Sequence, residues 1–314
     1  MDKGQIPDYF LFIINPKAGR KDSTILTEQV RAAFPDKPGE PVCRVVQTDR
    51  PGHATALAAQ CAREMGGRAV VFACGGDGTA HEVANGIAGT EAAMSILPVG
   101  TANDFARAVM PGLGTDDILR NVRYPSIRPI DAIEANGRIC LNIASLGFDT
   151  KVQRRASSLT ARWRAMGSMS YFFAIILTLF GKREYHMHYR LETIDESGVT
   201  GVIEQDAAYI LAAICNGRFY GGGFNPAPQA SQDDGILNVC LVDSLPLHQI
   251  LPLIPKYKKG THLGHPAVHS WLVTAGQIRS TSDLLLGNFD GEIFETTTLD
   301  FRVLPQALRF AFYP

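Results

Sequence analysis

The sequence lacks the two short motifs that identify the commonest phosphate-binding loops. No G-x-x-x-x-G-K-[ST] occurs, because the single Gly-Lys pair, Gly181-Lys182, is followed by Arg183. No G-x-G-x-x-G follows a predicted strand. These absences argue against P-loop nucleotide hydrolases and against standard dinucleotide-dependent dehydrogenases.

The chain also lacks a hydrophobic run of membrane-spanning length. The most apolar run, 169–180, has about twelve residues, whereas a spanning helix needs roughly twenty. Residues 1–9 are polar and include two aspartates, unlike a signal peptide. We therefore expect no transmembrane segment, and we expect residues 169–180 to form a buried or interfacial helix.

Neither strong charge nor paired cysteines characterise the sequence. The formal net charge is −1 over 314 residues, which gives no reason to expect nucleic-acid binding. The six cysteines are scattered, with no C-x-x-C pair, so we expect reduced thiols and a cytosolic protein. A chain of this length is predicted to form two domains.

The first 130 residues alternate between short apolar runs and amphipathic stretches. Strands without polar alternation, separated by helices, are typical of an α/β domain whose parallel sheet is covered on both faces. Ligands of such sheets bind beyond the carboxyl ends of the strands. The predicted strands are Phe10–Ile14, Val42–Gln47, Ala69–Cys74 and Ser95–Val99. The loops that follow them, all rich in Gly, Asn, Asp or Thr, are Asn15–Gly19, Thr48–Gly52, Gly75–Thr79 and Gly100–Asp104.

From Ile130 onward, strand patterns separated by turn signals predict a mostly antiparallel β domain. We expect helices at about 159–180 and 246–256, and a return of residues 307–312 to the first domain. The predicted domains are thus residues 7–131, completed by 305–314, and residues 132–304. The predicted strands are 130–135, 138–144, 184–193, 207–215, 236–242, 272–278 and 300–303.

The loop Gly75–Thr79 is the most informative segment. Glycines let backbone amides approach a ligand closely, and the start of the following helix attracts phosphate. Asp77 would repel a phosphate unless a cation lay between them. The loop therefore predicts a site for a magnesium-bound nucleotide.

Five motifs in a fixed order resemble the diacylglycerol kinase catalytic-domain family, especially its soluble bacterial lipid kinases, to which sphingosine and ceramide kinases are related. The resemblance covers essentially the whole chain. NAD kinases and phosphofructokinases share the GGDG-type loop but lack the first and third motifs, so the implied fold is similar to theirs. The motifs are Asn15-Pro16-Lys17-Ala18-Gly19-Arg20, Gly75-Gly76-Asp77-Gly78-Thr79 with Glu82 and Asn85-Gly86, Pro98-Val99-Gly100-Thr101-Ala102-Asn103-Asp104-Phe105-Ala106-Arg107, Asp233-Asp234-Gly235 and Asp290-Gly291-Glu292.

The resemblance implies ATP-dependent phosphorylation of a lipid hydroxyl, most directly that of diacylglycerol. It implies a structural Mg²⁺ held by the Asp234 carboxylate and by the main-chain carbonyls of Ser231 and Ile236. It also places the acceptor of the hydroxyl proton at Asp290 or Glu292. The implied ATP contacts are Asn15, Pro16, Lys17, Ala18, Gly19, Thr48, Gly75, Gly76, Asp77, Gly78, Thr79, Glu82 and Thr101.

Asp290 and Glu292 lie two positions apart, so on an extended segment both side chains would point to the same face. Either could be the base, while the other holds magnesium or orients it. Alternative acceptors are phosphatidylglycerol, a sphingoid base or NAD, and a catalytically silent nucleotide- or lipid-binding regulator is a further alternative. His81 stands where the family usually has asparagine, and the spacing of His262, His265 and His269 does not indicate zinc.

Basic residues flank the apolar run 169–180. Such a helix is typical either of a core element with solvated ends or of one that rests on an anionic membrane. The expected partners are therefore the lipid substrate and an anionic surface, without nucleic acid. An edge strand could also pair two copies, and the expected location is cytoplasmic, extending to the inner membrane face. The basic residues are Arg154, Arg155, Arg162, Arg164, Lys182 and Arg183, with Lys256, Lys258 and Lys259 further along.

Overall fold

The computed structural model describes residues 6–314, except 20–21, 35–36, 38, 163–168, 182, 196 and 283. The chain divides into two compact units. One contains the chain up to Ile130 together with Gln306–Pro314, and the other is Asp131–Pro305.

A parallel sheet forms the centre of the first unit. Its strands are β1 (Tyr9–Ile14), β2 (Val42–Gln47), β3 (Ala69–Gly75) and β4 (Ala93–Pro98), in the spatial order β4-β3-β1-β2. The end of the last strand, β14 (Thr298–Phe312), pairs in parallel with β4 through Arg309 and Phe310. The strands β1, β3 and β4 are almost fully buried, which explains their lack of polar alternation.

Five helices connect and follow these strands: α1 (Ser23–Ala33), α2 (His53–Met65), α3 (Asp77–Ile87), α4 (Asp104–Val109) and α5 (Thr115–Asn121). The N-cap of α1 is Asp22, whose side chain accepts the Thr24 amide at 2.8 Å. Aromatic rings on adjacent strands stack in the core, with the Phe12 and Phe72 centroids 4.4 Å apart. Helix α5 has no counterpart among the sequence predictions.

The second unit is mostly antiparallel, as predicted. Its sheet has the order β13-β12-β7-β9-β10-β11-β14, and β8 pairs with both β9 and β11. The strands are β5 (Ser126–Ala135), which begins in the first unit, β6 (Arg138–Cys140), β7 (Ile143–Gly147), β8 (Tyr185–Ile194), β9 (Thr200–Cys215), β10 (Leu237–Asp243), β11 (Val268–Ser280), β12 (Leu285–Phe289) and β13 (Glu292–Thr296). The helices are α6 (Phe148–Arg162), α7 (Met169–Leu179) and α8 (Leu247–Lys259).

Two sequence predictions for this unit were wrong, and one hairpin was missed. The single strand predicted at 138–144 is two strands, because the amides of Leu141 and Asn142 turn away from the sheet to bind a carboxylate. The helix predicted at 159–180 corresponds to parts of α6 and α7, and residues 163–168 lie outside the described chain. The hairpin β12–β13 was not predicted at all.

The helices of the described residues were compared with the requirements of a membrane span. None of them combines the length and the apolarity needed to cross a bilayer.

Candidate active site

The glycine-rich loop joins β3 to α3 by an unusually close turn. The amides of Val99 and Gly100 donate to the Gly75 carbonyl at 3.3 and 3.1 Å, which attaches the loop after β4 to the loop after β3. A Cβ at Gly75 would lie 2.2 Å from the Thr79 hydroxyl oxygen. A side chain is therefore excluded at Gly75, and the first turn of α3 folds back over the end of its strand.

Close backbone approach also joins the Asn15–Gly19 loop to the loop after β4. Gly19 has a φ of +68°, and a Cβ there would lie 1.8 Å from the Val99 carbonyl oxygen. A Cβ at Gly100 would lie 2.5 Å from the Cα of Gly76. The first, third and fourth loops thus meet at the carboxyl edge of the sheet, where the sequence predicted a binding site.

Asn15 organises the first of these loops. Its side-chain oxygen accepts the Lys17 amide at 3.0 Å, and its side-chain nitrogen donates to the Thr79 hydroxyl at 3.3 Å. The Thr48 amide donates to the Ile14 carbonyl at 2.9 Å, so Thr48 begins its loop at the same sheet edge. Pro16, Lys17 and Thr101 are exposed, whereas Ala18 and Gly78 are half-buried.

The two acidic side chains predicted near the nucleotide bind backbone amides of other helices. Asp77 Oδ1 accepts the Phe105 amide at 3.1 Å, in the first turn of α4. Glu82 Oε2 accepts the Ala54 amide at 3.0 Å, in the first turn of α2. Each carboxylate thus lies at the positive end of a neighbouring helix and fixes that helix relative to α3.

The Asp290-Gly291 pair is the two-residue turn of the β12–β13 hairpin. Phe289 pairs with Glu292, and both turn residues have positive φ, +49° and +109°. Asp-Gly is favoured in this type of turn, because it tolerates those angles. The prediction that Asp290 and Glu292 share a face of an extended segment is therefore wrong.

Main-chain amides surround the Asp290 carboxylate. Oδ2 accepts the Leu141 amide at 2.6 Å, and Oδ1 accepts the amides of Asn142 and Ile143 at 2.9 and 3.2 Å. The Cys140 thiol donates to Oδ1 at 3.2 Å, and burial with the adjacent Asp290 charge raises the pKa of Cys140 well above its usual value. Asp290 is 8% exposed, whereas Glu292 is exposed at the start of β13. Of the two candidate bases, only Glu292 presents its carboxylate to solvent.

The Asp-Gly turn predicted to hold magnesium lies at the end of a buried hydrogen-bonded chain. The Gly235 amide donates to Asp131 Oδ2 at 2.7 Å, and the Asp131 amide donates to the Gln232 carbonyl at 2.6 Å. The side-chain nitrogen of Asn216 donates to the carbonyls of both Asp131 and Leu141, at 3.0 and 2.8 Å. This series of hydrogen bonds reaches Leu141, one of the residues whose amides bind Asp290. No sequence motif pointed to Asp131 or Asn216 as part of the site.

The donor set of this turn suits a hard cation. Burial, with the nearby carboxylates of Asp131 and Asp233, raises the pKa of Asp234, so a cation there would offset charge repulsion. Asp234 Oδ1 accepts the Ile236 amide at 3.0 Å, and the Ser231 hydroxyl donates to Asp233 at 2.5 Å. Among the described residues, no three or more His, Cys, Asp or Glu side chains are grouped to hold a metal. The predicted Mg²⁺ ligands, one carboxylate and two carbonyls, require no such group.

An apolar pocket opens in the second unit between three helices and the sheet. Helix α6 contributes Phe148, Asp149 and Val152, and Tyr220 and Tyr257 add rings whose hydroxyls lie 3.3 Å apart. The remaining lining is aliphatic or aromatic: Ile175 and Leu179 of α7, Ile250, Leu253 and Ile254 of α8, and Ile210, Leu211, Phe224 and Val242. A pocket of this composition suits an apolar ligand group.

Asp149 is the one carboxylate among the described residues that line this pocket. Its Oδ1 accepts the Thr150 amide at 2.9 Å, its Oδ2 is buried, and the Ser145 and Tyr220 hydroxyls offset only part of the cost of that burial. Burial raises the pKa of Asp149 to about 6. No sequence motif pointed to this residue, because an isolated Asp at the start of a helix is common.

The histidines singled out by the sequence have separate structural roles. His262 is fully buried, lies 3.2 Å from the Pro226 carbonyl oxygen and packs against the Tyr257 ring. His265 accepts the Ala267 amide, and His269 contacts Asp243 at 2.9 Å. His81 is buried in α3 beside Asn85. None of these positions indicates a zinc site.

Comparison with known proteins places both units in characterised families. Residues 9–135 match the diacylglycerol kinase catalytic domain, and residues 142–312 match the YegS C-terminal NAD kinase beta sandwich-like domain. A Pseudomonas aeruginosa protein named "Probable lipid kinase YegS-like" is 36% identical over 251 residues, covering 77% of this chain and 76% of the relative. A Pseudomonas putida protein of the same name is 30% identical over 299 residues, covering 92% and 94%.

Solved structures agree on the fold. A diacylglycerol kinase from Bacillus anthracis has a TM-score of 0.69 at 21% identity, covering 98% of this chain and 97% of the other. An NAD kinase from Archaeoglobus fulgidus, solved with ATP, has a TM-score of 0.50 at 9% identity, covering 97% and 94%. The chain combines a diacylglycerol kinase catalytic domain with a YegS-type C-terminal domain. It belongs to the family of YegS-like lipid kinases, which confirms the resemblance and the expected fold class.

The close approach at Gly19 yields the first prediction. Gly19→Ala is expected to weaken ATP binding at least about tenfold, because the new methyl group would push the Asn15–Gly19 loop away from Val99. The matched control is Gly89→Ala, since Gly89 has a φ of +72° but nothing within 4 Å of a Cβ. Both variants carry the same backbone strain. Titration calorimetry with ATP that shows equal losses for both would contradict the steric explanation.

The buried Asp149 carboxylate yields the second prediction. Its folded-state pKa lies above the unfolded value, so the folded protein holds the proton more tightly and stability falls as pH rises from about 4 to 6. Above about pH 6 the buried charge costs at most about 3 kcal/mol. Asp149→Asn should therefore be more stable than the unsubstituted protein at about pH 7.5, with the difference vanishing near pH 4. Urea unfolding at both pH values measures it, and an Asn variant less stable at pH 7.5 would contradict the assignment.

Proposed function

We propose that the protein transfers the γ-phosphate of ATP to a lipid hydroxyl, with diacylglycerol as the first acceptor to test. One observation carries this proposal, namely that α6 extends from the apolar pocket to the Asp290-Gly291 turn. Phe148 and Val152 line the pocket, and the Gln153 side-chain nitrogen lies 3.6 Å from where a Gly291 Cβ would be. An acyl chain in the pocket would thus bring a polar headgroup toward Glu292.

Glu292 is proposed as the base. The acceptor oxygen attacks the γ-phosphorus of ATP, its proton passes to the Glu292 carboxylate, and ADP leaves with the electron pair of the broken bond. Asp290 serves a different purpose, because its carboxylate oxygens already accept three amides. It anchors the turn so that Glu292 is held at one position.

The nucleotide is proposed to bind on the first unit. The loop after β3 and the first turn of α3 would face its phosphates, and the Asn15–Gly19 loop would close over them, with Thr48 and Thr101 at the edges. Mg²⁺ would neutralise phosphate charge when bound with ATP. At the Asp234-Gly235 turn, the Asp234 carboxylate and the carbonyls of Ser231 and Ile236 would hold a structural Mg²⁺. This ion would keep the hydrogen bonds that link the turn to Asp131 and Asn216 in place.

Acceptor choice is the third prediction. Magnesium-dependent ADP production is measured with diacylglycerol, phosphatidylglycerol and a sphingoid base in mixed micelles, and with NAD in solution. We expect turnover with a lipid and none with NAD, because the pocket lining is almost entirely apolar. Turnover with NAD alone would identify a soluble acceptor. ATP binding without any turnover would indicate a catalytically silent regulator.

The division of roles between the two acidic residues is the fourth prediction. Glu292→Gln should lower kcat by about 10²- to 10⁴-fold, leaving ATP affinity and thermal stability unchanged. Asp290→Asn should lower both kcat and stability, because its amide group would turn a donor toward the Leu141–Ile143 amides and would cost roughly 1–3 kcal/mol. Thermal unfolding and steady-state kinetics separate the two. A Gln variant that keeps its activity would exclude Glu292 as the base.

A further inference from the structure

Helix α7 presents a row of large apolar side chains to solvent. The row consists of Phe173, Ile176 and Leu177, followed by Phe180 just beyond the helix, at the spacing i, i+3, i+4, i+7 that defines one helix face. Leu177 is 52% exposed and Phe180 is 77% exposed. Isolated exposed apolar residues are ordinary, but a contiguous row indicates an interaction surface.

The opposite face of the same helix forms a wall of the apolar pocket. Ala174, Ile175 and Leu179 are buried, and the last two line the pocket. Helix α7 is therefore apolar on both sides, although only one side is covered by the unit. A core helix would be covered on both.

Two cationic side chains bind the carboxyl end of α7. The Arg155 guanidinium donates to the Leu177 carbonyl, and that of Arg183 donates to the Leu179 carbonyl, at the negative end of α7. Arg154 is exposed beside them, whereas Arg164, Lys182 and the Arg162 side chain lie outside the described residues. On α8, the exposed cations are Lys256, Lys258 and Lys259, and the sequences of α7 and α8 contain no Asp or Glu.

One basic residue of α8 also lies against a ring that lines the pocket. Lys258 Nζ lies 5.5 Å from the centroid of the Phe224 ring, which lines the pocket. Helices α7 and α8 thus both line the pocket, and each carries exposed apolar side chains with cations on or next to the same helix. We name the surface formed by Phe173, Ile176, Leu177 and Phe180, together with the cations Arg154, Arg155, Lys256, Lys258 and Lys259, the docking face.

We propose that the docking face rests on an anionic bilayer, the cytoplasmic leaflet, and that the acceptor lipid passes from that leaflet into the pocket behind α7. This inference rests on the proposed function for the identity of the lipid in the pocket. The apolar row would enter the acyl region while the cations contact lipid phosphates. A second copy of the chain fits less well, because the same positive rim on both copies would repel.

The test measures vesicle binding without ATP. The full chain is sedimented with vesicles of phosphatidylcholine, and with the same vesicles containing phosphatidylglycerol. We expect tight binding only to the anionic vesicles, weakened by added salt. Leu177→Ser with Phe180→Ser should weaken it at least about tenfold, since two large apolar side chains leave the membrane. The matched control is Val199→Ser with Val202→Ser, which removes exposed apolar side chains of the same unit.

A second pair of variants tests the charges. Arg154→Gln with Lys259→Gln should remove most of the preference for anionic vesicles and most of the salt dependence. Equal binding to both vesicle types by the unsubstituted protein would overturn the proposal. So would equal losses in the docking and control variants, or a dimer in sedimentation equilibrium that the Leu177/Phe180 variant abolishes.

Activity measurements keep this test independent of the proposed function. The docking variants should phosphorylate a short-chain, water-dispersed diacylglycerol as fast as the unsubstituted protein. If no lipid is phosphorylated while anionic vesicles still bind, the proposed function fails and the docking face stands. If lipid turnover occurs and vesicle binding shows no anionic preference, the docking face fails alone.

Discussion

The Asp290 carboxylate lies in the interior of the second unit, and its charge must be satisfied there. Burying an unpaired carboxylate costs many kcal/mol, so the surrounding chain has to supply donors. Three amides of Leu141–Ile143 do so, and they can point inward only because the chain leaves the sheet between β6 and β7. The Leu141 carbonyl, freed by that interruption, is then satisfied by Asn216. The acidic turn, the strand break and the buried Asn216 therefore depend on one another.

Much of the nucleotide-binding unit could be predicted because its constraints are local. A parallel strand that is buried on both faces is apolar along its whole length, and its loop must begin where polar residues appear. Gly19 and Gly75 are recognisable because no side chain fits where backbones meet, and both lie within a few residues of a strand end. The positions of Asn15–Gly19, Gly75–Thr79 and Gly100–Asp104 followed from these rules alone.

The parts that could not be predicted depend on partners distant in sequence. Leu141 lies 149 positions from Asp290, and Asn216 lies 85 positions from Asp131, so no local pattern links them. The strand break itself contains no glycine or proline, and Leu141-Asn142 is sterically able to continue a strand. The sequence at this point therefore gives no sign of the break. The β12–β13 hairpin is a different case. Its Asp-Gly turn follows the apolar Phe289 and is followed by Glu292 and the apolar Ile293, a recognised hairpin signal that the catalytic interpretation of Asp-Gly-Glu obscured.

Two features of the pocket oppose stability, and they lie on the elements that enclose it. Burial raises the pKa of the Asp149 carboxyl, and Leu177 on α7 and Phe180 just after it are exposed to water while the other face of α7 lines the cavity. Proteins retain such departures from good packing where function requires them. An amphiphilic ligand would account for both, because its polar group could satisfy the carboxylate while its source, a bilayer, would cover the helix. A ligand that diffuses through water would explain the carboxylate but would leave the exposed row of α7 without a reason.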